Sequence, residues 1–177
     1  MNKVLWIFVH HTAVSYNKNP DQWEATNAYH KQVFNMKSSL GFYVGYNYEI
    51  SKAGIVRKAR EEGEETAAVK GYNKNSVSIC LDGDFDQEIP STGQKEALTK
   101  LLREVMARHN VSASKIVPHR TFANKTCYGK RLSDDWARSL VEVKEPVMSI
   151  EEMEKLIVQL TAQIKAIQKE IARKKNG

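Results

Sequence analysis

The segment His119-Arg-Thr-Phe-Ala-Asn-Lys-Thr-Cys127 sets an imidazole and a thiol eight residues apart across one stretch of loop-forming sequence. Imidazole nitrogen and thiolate sulfur are the donors zinc prefers, and three protein ligands with an open fourth position make the catalytic kind of zinc site. The third ligand must come from elsewhere in the chain. His10 or His11 is the natural source, because each stands at the end of an apolar run and strand ends are where α/β domains assemble their sites. The same pair admits a different chemistry, in which Cys127 is a thiol nucleophile and His119 its base. A lone histidine has a plainer use as a capping or surface imidazole, so spacing alone does not choose.

The elements that must position these groups follow from periodicity. Lys3-Val-Leu-Trp-Ile-Phe-Val9 is a nearly unbroken apolar run, which suits a strand buried on both faces and delivers His10, His11 and Thr12 at or just past its end. Asn19-Pro20 places a capping side chain before a proline, and Trp23, His30, Val33 and Phe34 recur at helical spacing, which predicts a helix over 21–36. The runs 43–50 and 55–59 favour strands and flank Ser51-Lys-Ala-Gly54, a hairpin signal. Ser76-Val-Ser-Ile-Cys-Leu81 is another strand. Ser91 with Gln94 forms a capping box, and Ala97, Leu98, Leu101, Leu102, Val105 and Met106 make the apolar stripe of a helix ending near His109. Ile116 and Val117 form a short strand before His119, and Ser133 is expected to cap a last short helix with Trp136 and Leu140. The expected architecture is α/β, a mixed central sheet flanked by helices.

Composition sets the outer limits. A chain of 177 residues with 41% hydrophobic and 27% charged residues has enough apolar content for a core, and a domain of roughly 150 residues buries about two thirds of its unfolded surface. The net charge of +6 favours an anionic partner: nucleic acid, membrane surface or acidic wall polymer. The apolar run 4–9 is too short for a membrane span or a secretory core and no small-residue cleavage site follows it, so synthesis without a signal peptide in the cytoplasm is expected. Two cysteines are too few for a disulfide scaffold, although counting alone permits a Cys80–Cys127 bridge.

The texture changes near 149, which divides the expected domain 1–148 from a segment 149–177. Ile150, Met153, Ile157, Leu160, Ile164, Ile167 and Ile171 alternate at spacings of three and four, a heptad seam that predicts a coiled coil and hence a homo-oligomer. Six basic and four acidic side chains give this segment a charge of +2, leaving +4 on the rest. An amphipathic helix lying on a lipid surface is the rival reading.

Phe8-Val-His-His-Thr-Ala13, Gly45-Tyr46, Lys70-Gly-Tyr-Asn73 ahead of Ser76–Leu81, and His119-Arg120 with Lys125 and Cys127 occur in an order and spacing that resembles the zinc-dependent N-acetylmuramoyl-L-alanine amidases. That family includes amidase-type phage lysozymes and animal peptidoglycan recognition proteins. The resemblance runs over about 3–136. It implies the amidase fold for 1–148, one Zn2+ per chain held by His10, His119 and Cys127, and catalytic roles for Tyr46 and Lys125. It also implies a peptidoglycan substrate rather than nucleic acid, the bond between the lactyl group of N-acetylmuramic acid and L-alanine of the stem peptide. The role implied is that of a phage or prophage endolysin, made in the host cytoplasm and acting at the cell wall after release. A binding module of the same fold that has lost its metal is the non-enzymatic alternative, and the matching Cys127 argues against it.

Three positions depart from the family pattern: Asn47 and Ala68 where histidines are common, and Tyr128 where proline follows the cysteine. None removes a ligand, but Ala68 removes a usual substrate contact. Among other residues, His11 is expected to point away from His10. His30 reads as a hydrogen-bonded core histidine, His109 as a cap for helix-end carbonyls, and Cys80 as an ordinary buried thiol. Asp82, Asp84 and Asp86 read as a solvated turn and 61–65 as a solvated acidic loop.

Overall fold

The longest apolar runs of the sequence become the middle of the sheet. A computed structural model describes residues 2–142 and 149–175. In chain order the elements are β1 (Trp6–His11), α1 (Trp23–Val33), β2 (Tyr48–Ile50), β3 (Val56–Lys58), β4 (Ser76–Leu81), α2 (Thr92–His109), β5 (Ile116–Pro118), α3 (Trp136–Ser139) and α4 (Ile150–Lys175). The chain divides into two compact units, Met1–Glu142 and Val143–Gly177. The boundary expected at 148/149 touches 143–148, which lie outside the described residues.

The sheet runs β3-β2-β4-β1-β5. β1 is parallel to β4, from Trp6 opposite Ser76 to His11 opposite Leu81, and parallel to β5 on its other side. β2 is parallel to β4, and only β3 is antiparallel, as the turn at 51–54 requires. This is the mixed α/β sheet expected from the sequence.

Alternation along the strands gives the sheet two unlike faces. Ile7, Val9, Val77, Ile79, Leu81, Tyr48 and Ile50 join Leu98, Leu101, Leu102 and Val105 of α2 in one apolar cluster. α2 starts as predicted: the Ser91 hydroxyl accepts from the Gln94 N–H and the Gln94 side chain accepts from the Ser91 N–H. The opposite face carries the intervening Phe8, His10, Ser76, Ser78, Cys80 and Glu49, all buried.

Helix ends depart from expectation where a distant group outcompetes the local one. α1 begins at Trp23, not Asp21, and its cap is Gln22 rather than Asn19. The Asp82 carboxylate, arriving at the end of β4, accepts from the Gln22 N–H at 2.8 Å, where a negative charge suits a helix N-terminus. The Gln22 amide in turn donates to the Val14 and Asn19 carbonyls. The apolar face of α1 also stops early: Trp23 and His30 are buried, but Val33 and Phe34 are 50% and 45% exposed. α3 is capped by Asp135, not Ser133, whose carbonyl is taken by the Trp136 N–H and the Tyr128 hydroxyl.

The acidic loop and the aspartate run are not fully solvated. Glu62 is buried under the Tyr48 hydroxyl, Arg108 and His109, and Asp82 is wholly buried. His109 therefore meets a carboxylate at 2.5 Å instead of helix carbonyls. In the second unit, α4 has the length expected, and its seam residues are each between 44% and 74% exposed. Among the described residues no helix is long and apolar enough to cross a membrane.

Candidate metal centre

β1 and β5 lie side by side with Val9 opposite Pro118, so the next residue on each, His10 and His119, emerges at the same end of the sheet. The two rings sit 5.1 Å apart, centroid to centroid. His119 opens a 3-10 turn, His119–Thr121, and the loop after it returns Cys127 to the same spot. The Cys127 sulfur is 3.7 Å from His10 Nδ1, and the ligand atoms of His10, His119 and Cys127 all lie within 4.8 Å of one another.

The electrostatics of this trio suit a cation. Burial, then the neighbouring His119, holds His10 well below its usual pKa, and burial with the nearby Lys125 charge lowers His119. Both imidazoles are thus neutral, with lone pairs to offer. Burial pushes the Cys127 thiol up to about 12 despite the His11 N–H that donates to its sulfur at 3.4 Å. A thiol so raised beside a histidine so lowered is poorly disposed to form the thiolate–imidazolium pair of a cysteine hydrolase. A divalent ion removes that penalty by taking the thiolate as ligand. His10 Nε2 is buried and has no hydrogen-bond partner among the described residues. Two neutral imidazoles, one thiol and an orphaned buried nitrogen fit zinc. Cys80 and Cys127 are both free, so no disulfide competes for the sulfur.

His11 turns to the opposite face as alternation requires, and its Nδ1 accepts from the Phe85 N–H at 3.0 Å. Nothing comparable in local sequence announces how the Cys127 loop is held. Arg120 spans it, donating to the carbonyls of Thr126 (3.2 Å), Gly129 (2.8 Å) and Leu132 (2.7 Å) and pairing with Asp134 at 2.5 Å. From the other side Asp86 accepts from the Thr126 hydroxyl and the Lys130 N–H. Gly129 has a positive φ and lies so close to Phe85 that an added Cβ would meet it at 2.4 Å. Tyr128 is buried and its hydroxyl donates to the Ser133 and Asp134 carbonyls, so the residue that departs from the family pattern anchors the loop to α3.

Tyr46 completes the group. Its ring lies 5.0 Å from that of His10 and 5.3 Å from that of His30. His30 is the hydrogen-bonded core histidine expected, and its hydrogen bond supports the site. The His30 Nδ1 accepts from the Gly45 N–H at 2.9 Å and fixes the backbone beside Tyr46. Burial, then the Cys80 and Cys127 thiols, pushes the Tyr46 phenol well above its usual range, so it remains a proton donor. A cleft lined by Thr12, Gln22, Thr26, Tyr29, His30 and Tyr46 opens beside it. Lys125 is exposed, two residues before Cys127, and its charge is felt at His119.

Asn47 is buried away from the cleft chemistry: its Oδ1 accepts from the Ser78 N–H and its Nδ2 donates to the Glu61 carbonyl. Ala68 offers only its backbone, which donates to Asn73 at 3.0 Å. Sequence reasoning missed one further group. Glu49, Cys80 and His10 stand in register across β2, β4 and β1, and burial with the nearby Asp82 pushes the Glu49 carboxyl upward.

Comparison with known proteins places this geometry. Residues 1–130 match the family described as N-acetylmuramoyl-L-alanine amidase. The endolysin of Klebsiella phage KP32 is 30% identical over 101 residues, 54% of this chain and 66% of that protein. The endolysin of Escherichia phage T7 is 29% identical over the same lengths and shares. The match therefore spans just under two thirds of each of these relatives. Among solved structures, the N-acetylmuramoyl-L-alanine amidase LysC from Clostridium intestinale superposes with a TM-score of 0.67 at 22% identity, covering 81% of this chain and 88% of that one. Drosophila PGRP-LB superposes with a TM-score of 0.65 at 21% identity, covering 84% and 85%. At these identities the structural likeness establishes the fold.

Proposed function

The chain belongs to the N-acetylmuramoyl-L-alanine amidase family, and on that premise we propose that it is a phage endolysin that hydrolyses the amide between N-acetylmuramic acid and L-alanine in peptidoglycan. The observation that carries this reading is the convergence of the His10, His119 and Cys127 ligand atoms within 4.8 Å at the end of β1 and β5. These three side chains would hold one zinc ion per chain. When bound, zinc supplies Lewis acidity, which brings water toward ionisation at neutral pH and polarises an amide carbonyl.

The chain's own residues do the rest. His11 N–H and the Arg120 and Asp86 clamps hold Cys127 in place, so the ligand set is organised before substrate arrives. Tyr46, kept protonated by burial, and Lys125 donate to the oxygen that gains charge as the amide carbon becomes tetrahedral. Pre-oriented donors of this kind contribute about 2.7–4 kcal/mol each. The amide nitrogen leaves as the L-alanine amine and the carbonyl carbon as the lactyl carboxylate. The protein acts at the cell wall after release from the cytoplasm, and its preference among stem peptides is set without the polar contact that Ala68 lacks. The exposed seam of α4 lies outside the matched residues and serves self-association, in preference to contact with lipid.

Digestion of purified peptidoglycan with mass analysis of the fragments tests the bond. New lactyl carboxylates and L-alanine amino ends are expected, lost in strong chelator and restored by zinc. New reducing sugar ends or cleaved cross-bridges would overturn the assignment, and release that survives chelation but dies on thiol alkylation would return Cys127 to the nucleophile's role.

A further inference from the structure

Charge along α4 is sorted by position. Residues 149–162 contain Glu151, Glu152, Glu154 and Lys155, a net −2, whereas 163–177 contain Lys165, Lys169, Arg173, Lys174, Lys175 and Glu170, a net +4. Side by side in the same direction, two copies would set acidic half against acidic half and basic against basic. Reversed, each acidic half lies along a basic one within the roughly 8–10 Å over which charges act in physiological salt. Of the four seam-flanking pairs open to a same-direction dimer, 149–154, 156–161 and 163–168 join Ser to Glu, Leu to Thr and Gln to Gln, and 170–175 alone joins opposite charges, which leaves the repulsion between like halves uncompensated. The seam itself is complete and open: its a and d residues from Ile150 to Ile171 are all exposed.

We propose that α4 pairs with α4 of a second copy in antiparallel orientation, making a two-chain coiled coil that carries a catalytic unit at each end. The proposal rests on the self-association assigned to α4 and adds its partner number and direction. The register that keeps a facing d in every layer and lays each acidic half along a basic one sets Met153 against Ile171, Ile157 against Ile167 and Leu160 against Ile164, six layers in all by symmetry, over about 27 Å. Positions 169–175 of one chain, which hold four of the five basic residues of that half, then stand level with 149–155 of the other, which hold its three glutamates. A peptidoglycan sheet presents many equivalent bonds, so two linked catalytic units rebind before both let go, a gain that linked sites commonly place at 10²–10⁴-fold in avidity.

The test uses the full-length zinc-loaded protein. Light scattering at micromolar concentration is expected to give twice the chain mass, and Leu160→Glu, which buries a charge in a central layer, the mass of one chain. Mixed Met153→Cys and Ile171→Cys chains, oxidised together, are expected to yield the 153–171 cross-link, with each variant alone and the wild type yielding none. Cross-links of 153 to 153 would overturn the orientation, and a three-chain mass the stoichiometry. A one-chain mass for the wild type would overturn self-association altogether. Leu160→Glu is expected to match wild type on a soluble muramoyl-peptide and to fall at least about tenfold on intact sacculi at nanomolar enzyme. Equal rates on sacculi would remove the bivalent advantage, whereas no cleavage of either substrate by wild type would fail the amidase reading instead.

Discussion

The two faces of one sheet do opposite things with the same strands. In β1, Ile7 and Val9 enter the cluster under α2, while Phe8 and His10, one step out of phase, enter the face that holds His119, Cys127 and Tyr46. The α2 face is filled mostly by aliphatic side chains, and the Tyr48 hydroxyl at its edge is satisfied by Glu62. The other face buries His10, Ser76, Ser78 and Glu49 with side-chain atoms that have no hydrogen-bond partner among the described residues. Such atoms are costly in a core. The lesson is a division of labour: apolar burial on one side supplies the stability that lets the other side keep groups unsatisfied and ready for ligands.

Substitutions can break that division, and the largest effect should come from the ligand trio. His119→Ala and Cys127→Ser are expected to lose bound zinc and turnover together while keeping the wild-type circular dichroism spectrum, since His119 lies outside the buried apolar cluster and serine nearly keeps the size of the Cys127 side chain that packs against it. Metal analysis and fragment release measure both. Next, Tyr46→Phe keeps zinc and is expected to lose about 10²–10³-fold in kcat, the usual cost of one oxyanion donor. Lys125→Ala should fall in the same direction by less, because Lys125 is solvent-exposed. Wild-type turnover in either variant would remove that residue from the chemistry.

On the opposite face the signs reverse. Leu102→Ala is expected to cost about 2–5 kcal/mol of stability in denaturant melts, with zinc content and turnover unchanged well below the transition. Arg120→Ala probes the join between the two: without its three carbonyl contacts the Cys127 loop slackens, and zinc affinity should drop about 10–100-fold, as for other supporting partners of metal ligands.

The smallest effect expected is a gain. Folded Glu49 holds its proton to higher pH than the ordinary value of 4.5, because burial and then the Asp82 carboxyl disfavour its charge. Above 4.5 the folded state therefore binds more protons than the unfolded one, and stability falls as pH rises through neutrality. Glu49→Gln removes that loss, so its melting temperature should exceed that of wild type by a few degrees at pH 8 and by less at pH 5. An equal shift at both values would mean that Glu49 is not held protonated.

Much of the fold and the site is legible in residue patterns, for a physical reason. Strand β1 is written locally as an unbroken apolar run, β4 as an alternating one, and helices α2 and α4 as a capping box and apolar spacings of three and four residues. The proposed ligand trio is legible as residue types; alternation says only that His10 and His11 point to opposite faces, and the family resemblance is what picks His10. What local sequence does not contain is partnership across distance. Asp82 displaces Asn19 at the start of α1, Asp86 and Arg120 grip the Cys127 loop, and Glu62 is drawn inward by Arg108, each over an interval of primary structure that no period spans. Tyr128 shows the same limit, since a departure from a family pattern says nothing about the carbonyls its hydroxyl will find.

X-ray absorption at the zinc edge of the purified full-length protein, with metal counted per chain, tests the central claim most directly. One zinc per chain is expected, with one sulfur and two imidazoles in its nearest shell, and the sulfur lost in Cys127→Ser. A shell without sulfur in the wild type, or one unchanged by the substitution, would contradict the metal centre proposed for His10, His119 and Cys127.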